Sequence, residues 1–307
     1  MKYLILILSL FACQLYAQEF VIDSAFLKKN FPNGMVYDAD IVYKKVNNQD
    51  LKLDIYRAPV KNKEFPVVIS IHGGAWLSGN KMQDVFFSAK LIRKLIETGY
   101  SIVSIDYRLS QEAKFPSQIQ DCNDAIDFIF KNAKKYSLDV SNIAVMGGSA
   151  GGHLAQLVGT SNEHNISQFY SNGKKPNFKI KAVVSFFGIS DFIAMRGNSG
   201  MVDHDDPNSA EAQLLGYPPL VRPDLAKLAS PTTYITKNTP PVLIFHGDKD
   251  PVVQYSQSVL LHSYLDLASV YNKFITVSGA GHGGKEFGAD EYDIEILNFL
   301  DTYLKTK

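Results

Sequence analysis

The chain has 307 residues, and its 31 lysines and arginines are balanced by 31 aspartates and glutamates. With zero net charge and no basic run, it carries no electrostatic footprint for nucleic acid or anionic lipid. Charged residues at 20% and hydrophobic ones at 46% exclude a disordered chain, while 21 glycines and 13 prolines exclude collagen-like and low-complexity architectures. A chain of this length can bury about three-quarters of its unfolded surface in one core. No linker divides it, so a single domain is expected over residues 18–307.

Met1–Ala17 reads as a secretory signal peptide. Lys2 supplies the positive start, Tyr3–Ala12 is almost wholly apolar, and Leu15-Tyr16-Ala17 ends on a small residue before Gln18. The apolar run is too short to span a bilayer, so the expectation is export to the periplasm or the medium. Leu10-Phe11-Ala12-Cys13 resembles a bacterial lipobox with Phe11 out of pattern, which keeps a lipid anchor through Cys13 as the alternative. Cys122 is the other cysteine, so loss of the signal would leave no partner for an intramolecular disulfide. Cys122 sits at an apolar position of a helical pattern and reads as inert filler.

After the signal, Ile41–Lys45 and Leu51–Arg57 read as an opening antiparallel pair, because Leu51, Leu53 and Ile55 alternate with polar residues. Six short, nearly continuous apolar runs follow: Val67–His72, Ser101–Asp106, Ile143–Met146, Ala182–Phe187, Val242–His246 and Lys273–Val277. Such runs suit parallel strands covered on both faces. Helical spacing lies between them, in Phe87, Leu91 and Leu95, in Ile119, Cys122, Ile126 and Ile129, and after Ser149 in Leu154, Leu157 and Val158. At the C-terminus it recurs in Tyr292, Ile296, Phe299 and Tyr303. Strands alternating with helices predict a mostly parallel α/β sheet of about eight strands with helices on both faces. Phe192–Thr239 breaks this rhythm and reads as an excursion that contributes to a substrate pocket. No internal repeat suggests a solenoid or propeller.

Four loops carry candidate chemistry. Gly147-Gly148-Ser149-Ala150-Gly151 follows the strand Ile143–Met146 and precedes an amphipathic helix, the context of a nucleophile elbow. The glycines permit the sharp turn, and the helix that follows aims its N-terminal amides at an anion beside Ser149. A phosphate loop here would need a following lysine or the Gly-x-Gly-x-x-Gly pattern, and residues 147–152 match neither. His72-Gly73-Gly74-Ala75-Trp76 ends a strand with glycines whose amides are free to form an oxyanion hole. In His246-Gly247-Asp248-Lys249-Asp250-Pro251, Asp250 is favoured as the acid, and Asp248 is expected to fix the loop through its own backbone.

In Gly279-Ala280-Gly281-His282-Gly283-Gly284, His282 lies in a glycine-rich loop after the last strand. The other histidines are weaker candidates. His72 and His246 end strands beside glycine turns, His153 follows Ser149 by one helical turn, His164 and His204 lie in polar stretches, and His262 is mid-helix. Ser149, Asp250 and His282 give the chain order Ser…Asp…His. Asp203-His204-Asp205-Asp206 reads as a solvated loop, not a metal site, since adjacent residues rarely converge on one ion. Tyr217-Pro218-Pro219 and the aromatics Phe186, Phe187 and Phe192 could favour an aromatic acyl group, but the core reading is preferred.

At these motifs the chain resembles the α/β-hydrolase superfamily, and within it the small esterases. His72-Gly73-Gly74-Ala75-Trp76 departs from the His-Gly-Gly-Gly of hormone-sensitive-lipase-like enzymes. It is closer to the His-Gly-Gly-x-Trp of bacterial bifunctional feruloyl and acetyl-xylan esterases and of kynurenine formamidases. Asp106-Tyr107-Arg108-Leu109, the Ser149 loop with Gly152-His153, and the His246 loop strengthen that likeness.

The resemblance implies a serine ester hydrolase without cofactor or metal, acting on a small-molecule or carbohydrate ester. Ser149 would be the nucleophile, His282 the base and Asp250 its orienting acid. The amide of Ala150, with one or both of Gly74 and Ala75, would form the oxyanion hole. Trp76 would line the pocket mouth, and Asp106-Tyr107-Arg108 would support the loops. Acetyl or feruloyl groups on plant polysaccharide are the acyl groups it is expected to remove. A formamidase-like or peptidase-like amide hydrolase is the enzymatic alternative, and the export signal argues against a formamidase acting on an intracellular metabolite. A non-catalytic hydrolase-like binding protein is the alternative of another class; the presence of serine, aspartate and histidine together argues against it.

Overall fold

The computed structural model describes residues 22–60, 63–197 and 199–305. Met1–Ala17, with Cys13, lies outside the described residues. The strands are β1 Val36–Val46, β2 Gln49–Arg57, β3 Phe65–Ile71, β4 Ser101–Ile105, β5 Leu138–Gly148, β6 Ile180–Phe186, β7 Val242–Gly247 and β8 Asn272–Val277. They form one sheet in the order β1-β2-β4-β3-β5-β6-β7-β8. The β1–β2 and β2–β4 pairs are antiparallel and the remaining pairs parallel.

Side-chain alternation along the central strands explains why their sequences are continuously apolar. Val67, Ile69, Ile71, Ile143, Val145, Val183, Val242 and Ile244 enter one core cluster, with Ile119, Cys122, Ile126 and Ile129 of the helix Ser117–Lys131. Their strand neighbours Val68, Ala144, Met146, Val184, Leu243 and Phe245 enter the other, with Leu91 and Leu95 of Ala89–Glu97 and Ile296 and Phe299 of Asp290–Leu304. Both faces are covered, so neither face tolerates a polar residue without a partner. Asp54 of β2 is such a case: it is fully buried and bonded to Lys81 Nζ at 2.9 Å.

Three local expectations are corrected. The Phe87, Leu91, Leu95 spacing does not lie on one helix face, because Ser88 (φ −104°, ψ 23°) separates the helix Gln83–Phe87 from Ala89–Glu97. That break resets the helical phase and leaves Phe87 69% exposed while Leu91 and Leu95 are buried. The helix after Ser149, Ala150–Ser161, is buried along its whole length instead of presenting a polar face. Its small residues let it lie directly on the strand ends, where it supports the turn described below. The strand that leads to Ser149 is longer than its apolar run, starting at Leu138. In the segment 192–239, the short helices Ala210–Leu215 and Pro223–Ala229 are joined by loops. Among the described residues, no helix is long and apolar enough to cross a membrane.

Candidate active site

The carboxyl ends of β5, β7 and β8 each deliver one polar side chain to the same place. Ser149, directly after β5, has φ 55° and ψ −121°, a conformation that a serine holds only under constraint. The constraint is the close pass of backbone on both sides. A Cβ on Gly147 would stand 2.5 Å from the Gly151 carbonyl oxygen, and one on Gly151 would stand 2.0 Å from that of Ile71. The Ser149 amide donates to the Phe186 carbonyl at the end of β6 at 2.9 Å, fixing the turn against the sheet.

Ser149 Oγ donates to His282 Nε2 at 2.8 Å, and His282 Nδ1 donates to Asp250 Oδ2 at 2.7 Å. This pattern assigns the neutral tautomer with its proton on Nδ1, leaving Nε2 as acceptor. The other Asp250 oxygen accepts the amides of Val252 and Val253 at 2.8 and 2.9 Å. Burial alone would raise the Asp250 pKa. Hydrogen bonds from His246, His282 and the Val252 amide reverse that and hold the carboxyl well below the usual range.

The loop after β3 lies against this relay. A Cβ on Gly73 would stand 3.0 Å from the Gly148 carbonyl oxygen and 3.7 Å from Ser149 Cβ. Gly74, Ala75 and Trp76 all have positive φ (101°, 55° and 58°), and the Gly74 carbonyl accepts the Leu77 and Ser78 amides. Ala150 opens its helix, so its amide is among the first four that have no acceptor within the helix.

Supporting contacts hold the loop in place. His72 stacks on Tyr107 with ring centroids 4.1 Å apart, and the Tyr107 hydroxyl donates to the His72 carbonyl at 2.9 Å. Burial lowers the His72 pKa to about 4, so its ring stays neutral while its Nδ1 meets the Gly73 carbonyl at 2.8 Å. Asp106 accepts the Lys81 amide at 2.8 Å, and Arg108 forks onto both oxygens of Asp121 at 2.7 and 2.8 Å.

Three placements differ from the sequence reading. Trp76 is 1% exposed and packs on His153 and Phe192 at 5.3 and 5.7 Å, so it anchors the loop from below instead of standing at the pocket mouth. Asp248 does not bond its own backbone; its Oδ1 accepts the Gly279 amide at 2.7 Å and ties the β7 loop to the loop of His282. His204 is not solvated with its aspartate neighbours, being 2% exposed and 2.9 Å from Glu211. Among the described residues, no group of three or more histidine, cysteine or acidic side chains is arranged to hold a metal ion.

Two neighbours of the relay stand closer to it than the sequence reading placed them. Phe187, half-buried with φ 40°, places its ring 4.6 Å from the His282 imidazole, whereas Phe192 is fully buried as expected. His246 is fully buried, its Nε2 3.0 Å from the Val253 carbonyl and 3.3 Å from Asp250 Oδ2. Nothing local distinguishes Phe187 from a core phenylalanine. The His246-x-x-x-Asp250 spacing is visible in the chain, but the loop closure that joins the two is not.

An eight-stranded, mostly parallel sheet with a serine on the turn after β5 and helices on both faces is the α/β-hydrolase fold. The BD-FAE family matches residues 53–265, and the chain belongs to that family. Among solved structures, it is similar to a truncated form of a carbohydrate esterase from gut microbiota, with 32% identity and a TM-score of 0.79 over 90% of this chain and 100% of that one. It is also similar to a bifunctional GH43-CE protein of Bacteroides eggerthii, with 35% identity and a TM-score of 0.78 over 87% of this chain and 35% of that one. Among curated proteins, Esterase LipQ of Mycobacterium tuberculosis is 30% identical over 226 residues, covering 72% of this chain and 50% of LipQ. The chain spans about half the length of the curated relatives it matches.

Proposed function

We propose that the protein is a serine carboxylic ester hydrolase, exported from the cell, that removes acetyl or feruloyl groups from plant polysaccharide such as xylan. The reaction rests on one observation, the hydrogen-bonded series Ser149–His282–Asp250. Ser149 Oγ attacks the ester carbonyl as its proton passes to His282 Nε2. The ionised Asp250 stabilises the imidazolium that results. The protonated His282 then gives its proton to the departing alcohol oxygen. Water repeats the sequence on the acyl-serine and releases the acid. The Ala150 amide, with those of Gly74 and Ala75, carries the oxyanion, each such donor lowering the barrier by about 3–4 kcal/mol. Phe187 forms an apolar wall beside the reacting atoms, where an acyl group would rest.

Support for the substrate class comes from the family and from structural relatives that are themselves described as carbohydrate esterases. Export rests on the composition of Met1–Ala17. The test compares the purified protein with Ser149→Ala on 4-nitrophenyl acetate, methyl ferulate and acetylated xylan. The variant should lose several orders of magnitude in kcat, on the order of 10⁴ or more. A wild type inert towards all three esters overturns the reading.

A further inference from the structure

The excursion 192–239 meets the loop of Asp250 through a small buried polar cluster. His204 is 2% exposed; its Nδ1 lies 2.9 Å from Glu211 Oε1, and its Nε2 lies 3.0 Å from the Val252 carbonyl and 3.1 Å from Ser199 Oγ. The Ser199 hydroxyl faces the carbonyls of Pro251 and Val252, both at 2.9 Å, and the Met201 amide donates to the Pro251 carbonyl at 3.0 Å. Pro251 and Val252 directly follow Asp250, and the Val252 amide is one of the two donors that fix Asp250 Oδ1.

Each ring nitrogen of His204 therefore points at an acceptor, a carboxylate on one side and a carbonyl on the other. A neutral imidazole protonated at Nδ1 could only accept the Ser199 hydroxyl at Nε2, which would take that one O–H off the Pro251 and Val252 carbonyls and leave the Nε2 lone pair 3.0 Å from the Val252 oxygen. The imidazolium satisfies both contacts, and Glu211, itself 3% exposed, supplies the counter-charge.

We propose that the His204 imidazolium, paired with Glu211, is a positioning residue that clamps the 199–204 segment onto Pro251 and Val252 and so holds Asp250 where it orients His282. This rests on the relay proposed above. The charges around the clamp come from each element that meets it. Glu211 belongs to the helix Ala210–Leu215, and Asp203 and Asp205 to the loop of His204 itself, with Asp205 paired to Arg196 at 2.9 Å. From the β7 side comes Asp250, engaged by His246 and His282.

Burial opposes the charged ring, but the hydrogen bond and charge of Glu211, the Val252 carbonyl and Asp203 together raise the His204 pKa above its ordinary value. The clamp is thus complete below the ordinary histidine range and opens as pH climbs through the raised value.

The test uses the full chain with ¹⁵N-labelled histidine, His204 being assigned by comparison with His204→Gln. In the wild type, His204 should carry protons on both nitrogens near neutral pH and titrate above about 6.5; in Glu211→Gln it should titrate lower. On 4-nitrophenyl acetate, the ratio of Glu211→Gln to wild-type kcat should be lowest, down about tenfold with KM little changed, between the two His204 titration midpoints so measured, and should recover towards one below the lower of them. A singly protonated His204 at neutral pH in the wild type overturns the proposal, and needs no variant to fold. So does a kcat ratio that is flat with pH, or a loss confined to KM. Ser149→Ala run alongside separates the readings: if it stays active the relay fails, and if it is inactive while the Glu211→Gln ratio is flat, the clamp alone fails.

Discussion

Replacing Asp250 by Asn keeps the shape of the side chain and removes its charge, and the hydrogen bonds around it decide which way the amide turns. Oδ1 accepts two backbone amides, from Val252 and Val253, and an NH₂ group there would face two N–H donors. The carbonyl of the new amide therefore stays at that position, and its NH₂ takes the place of Oδ2, 2.7 Å from His282 Nδ1 and 3.3 Å from His246 Nε2. His282 must then accept at Nδ1 and carry its proton on Nε2, the tautomer that cannot take a proton from Ser149. The imidazolium also loses its buried counter-charge. A loss of about 10⁴ in kcat is expected, equivalent to about 5.5 kcal/mol in the barrier.

The assay is kcat on 4-nitrophenyl acetate, with far-UV circular dichroism and thermal unfolding to verify the fold. Asp248→Asn is the internal control, because Asp248 makes a loop-to-loop bond to Gly279 and no contact with His282 is among its hydrogen bonds. It should lose about 0.5–1.5 kcal/mol of stability and only a few-fold in rate. An Asp250→Asn protein that is folded and within tenfold of wild type would refute the reasoning.

Three further outcomes follow from local geometry. Gly151→Ala should fail to fold or lose more than about 3 kcal/mol in urea unfolding, since the new methyl would sit 2.0 Å from a backbone oxygen that cannot move aside; near-native stability would contradict the packing. Ala75→Gly relieves a left-handed alanine (φ 55°) and should gain up to about 1 kcal/mol in thermal unfolding with turnover little changed. His153 is fully buried and accepts no charge: burial lowers its pKa to about 4 against an ordinary value of 6.5. A depressed histidine stabilises the fold above its unfolded pKa, and that contribution fades as pH falls from about 6.5 to about 4. The stability advantage of wild type over His153→Gln should therefore shrink by up to about 3 kcal/mol across that window; a constant difference would show that His153 takes up its proton normally.

The framework of the molecule is written in short stretches of sequence, because the constraints that create it are short-ranged. Continuous β-branched runs such as Val67–Ile71 and Val242–Phe245 announce strands buried on both faces, and the structure divides their alternate residues between two cores. The turn at Ser149 is legible for the same reason: the glycines at 147 and 151 are demanded by backbone atoms within a few ångströms, and they lie within two residues of the serine. The loop positions of Asp250 and His282 could be singled out from their place after strands, and the fold brings both to Ser149.

What tertiary structure alone decided is which distant segments meet. The resemblance places Trp76 at the pocket mouth, yet two left-handed residues turn it into the core against Phe192. Asp248 found its partner across the sheet edge at Gly279, not in its own loop. His204, set among exposed aspartates, is buried because the excursion folds back onto Pro251 and Val252, dozens of residues further along the chain. Phe187 borders the relay because its backbone turns at the end of β6 beside His282. Periodicity and backbone strain act between neighbours and are visible in the sequence. Burial of a single polar or aromatic side chain depends on loop closures between remote segments, and those exist only once the sheet has assembled.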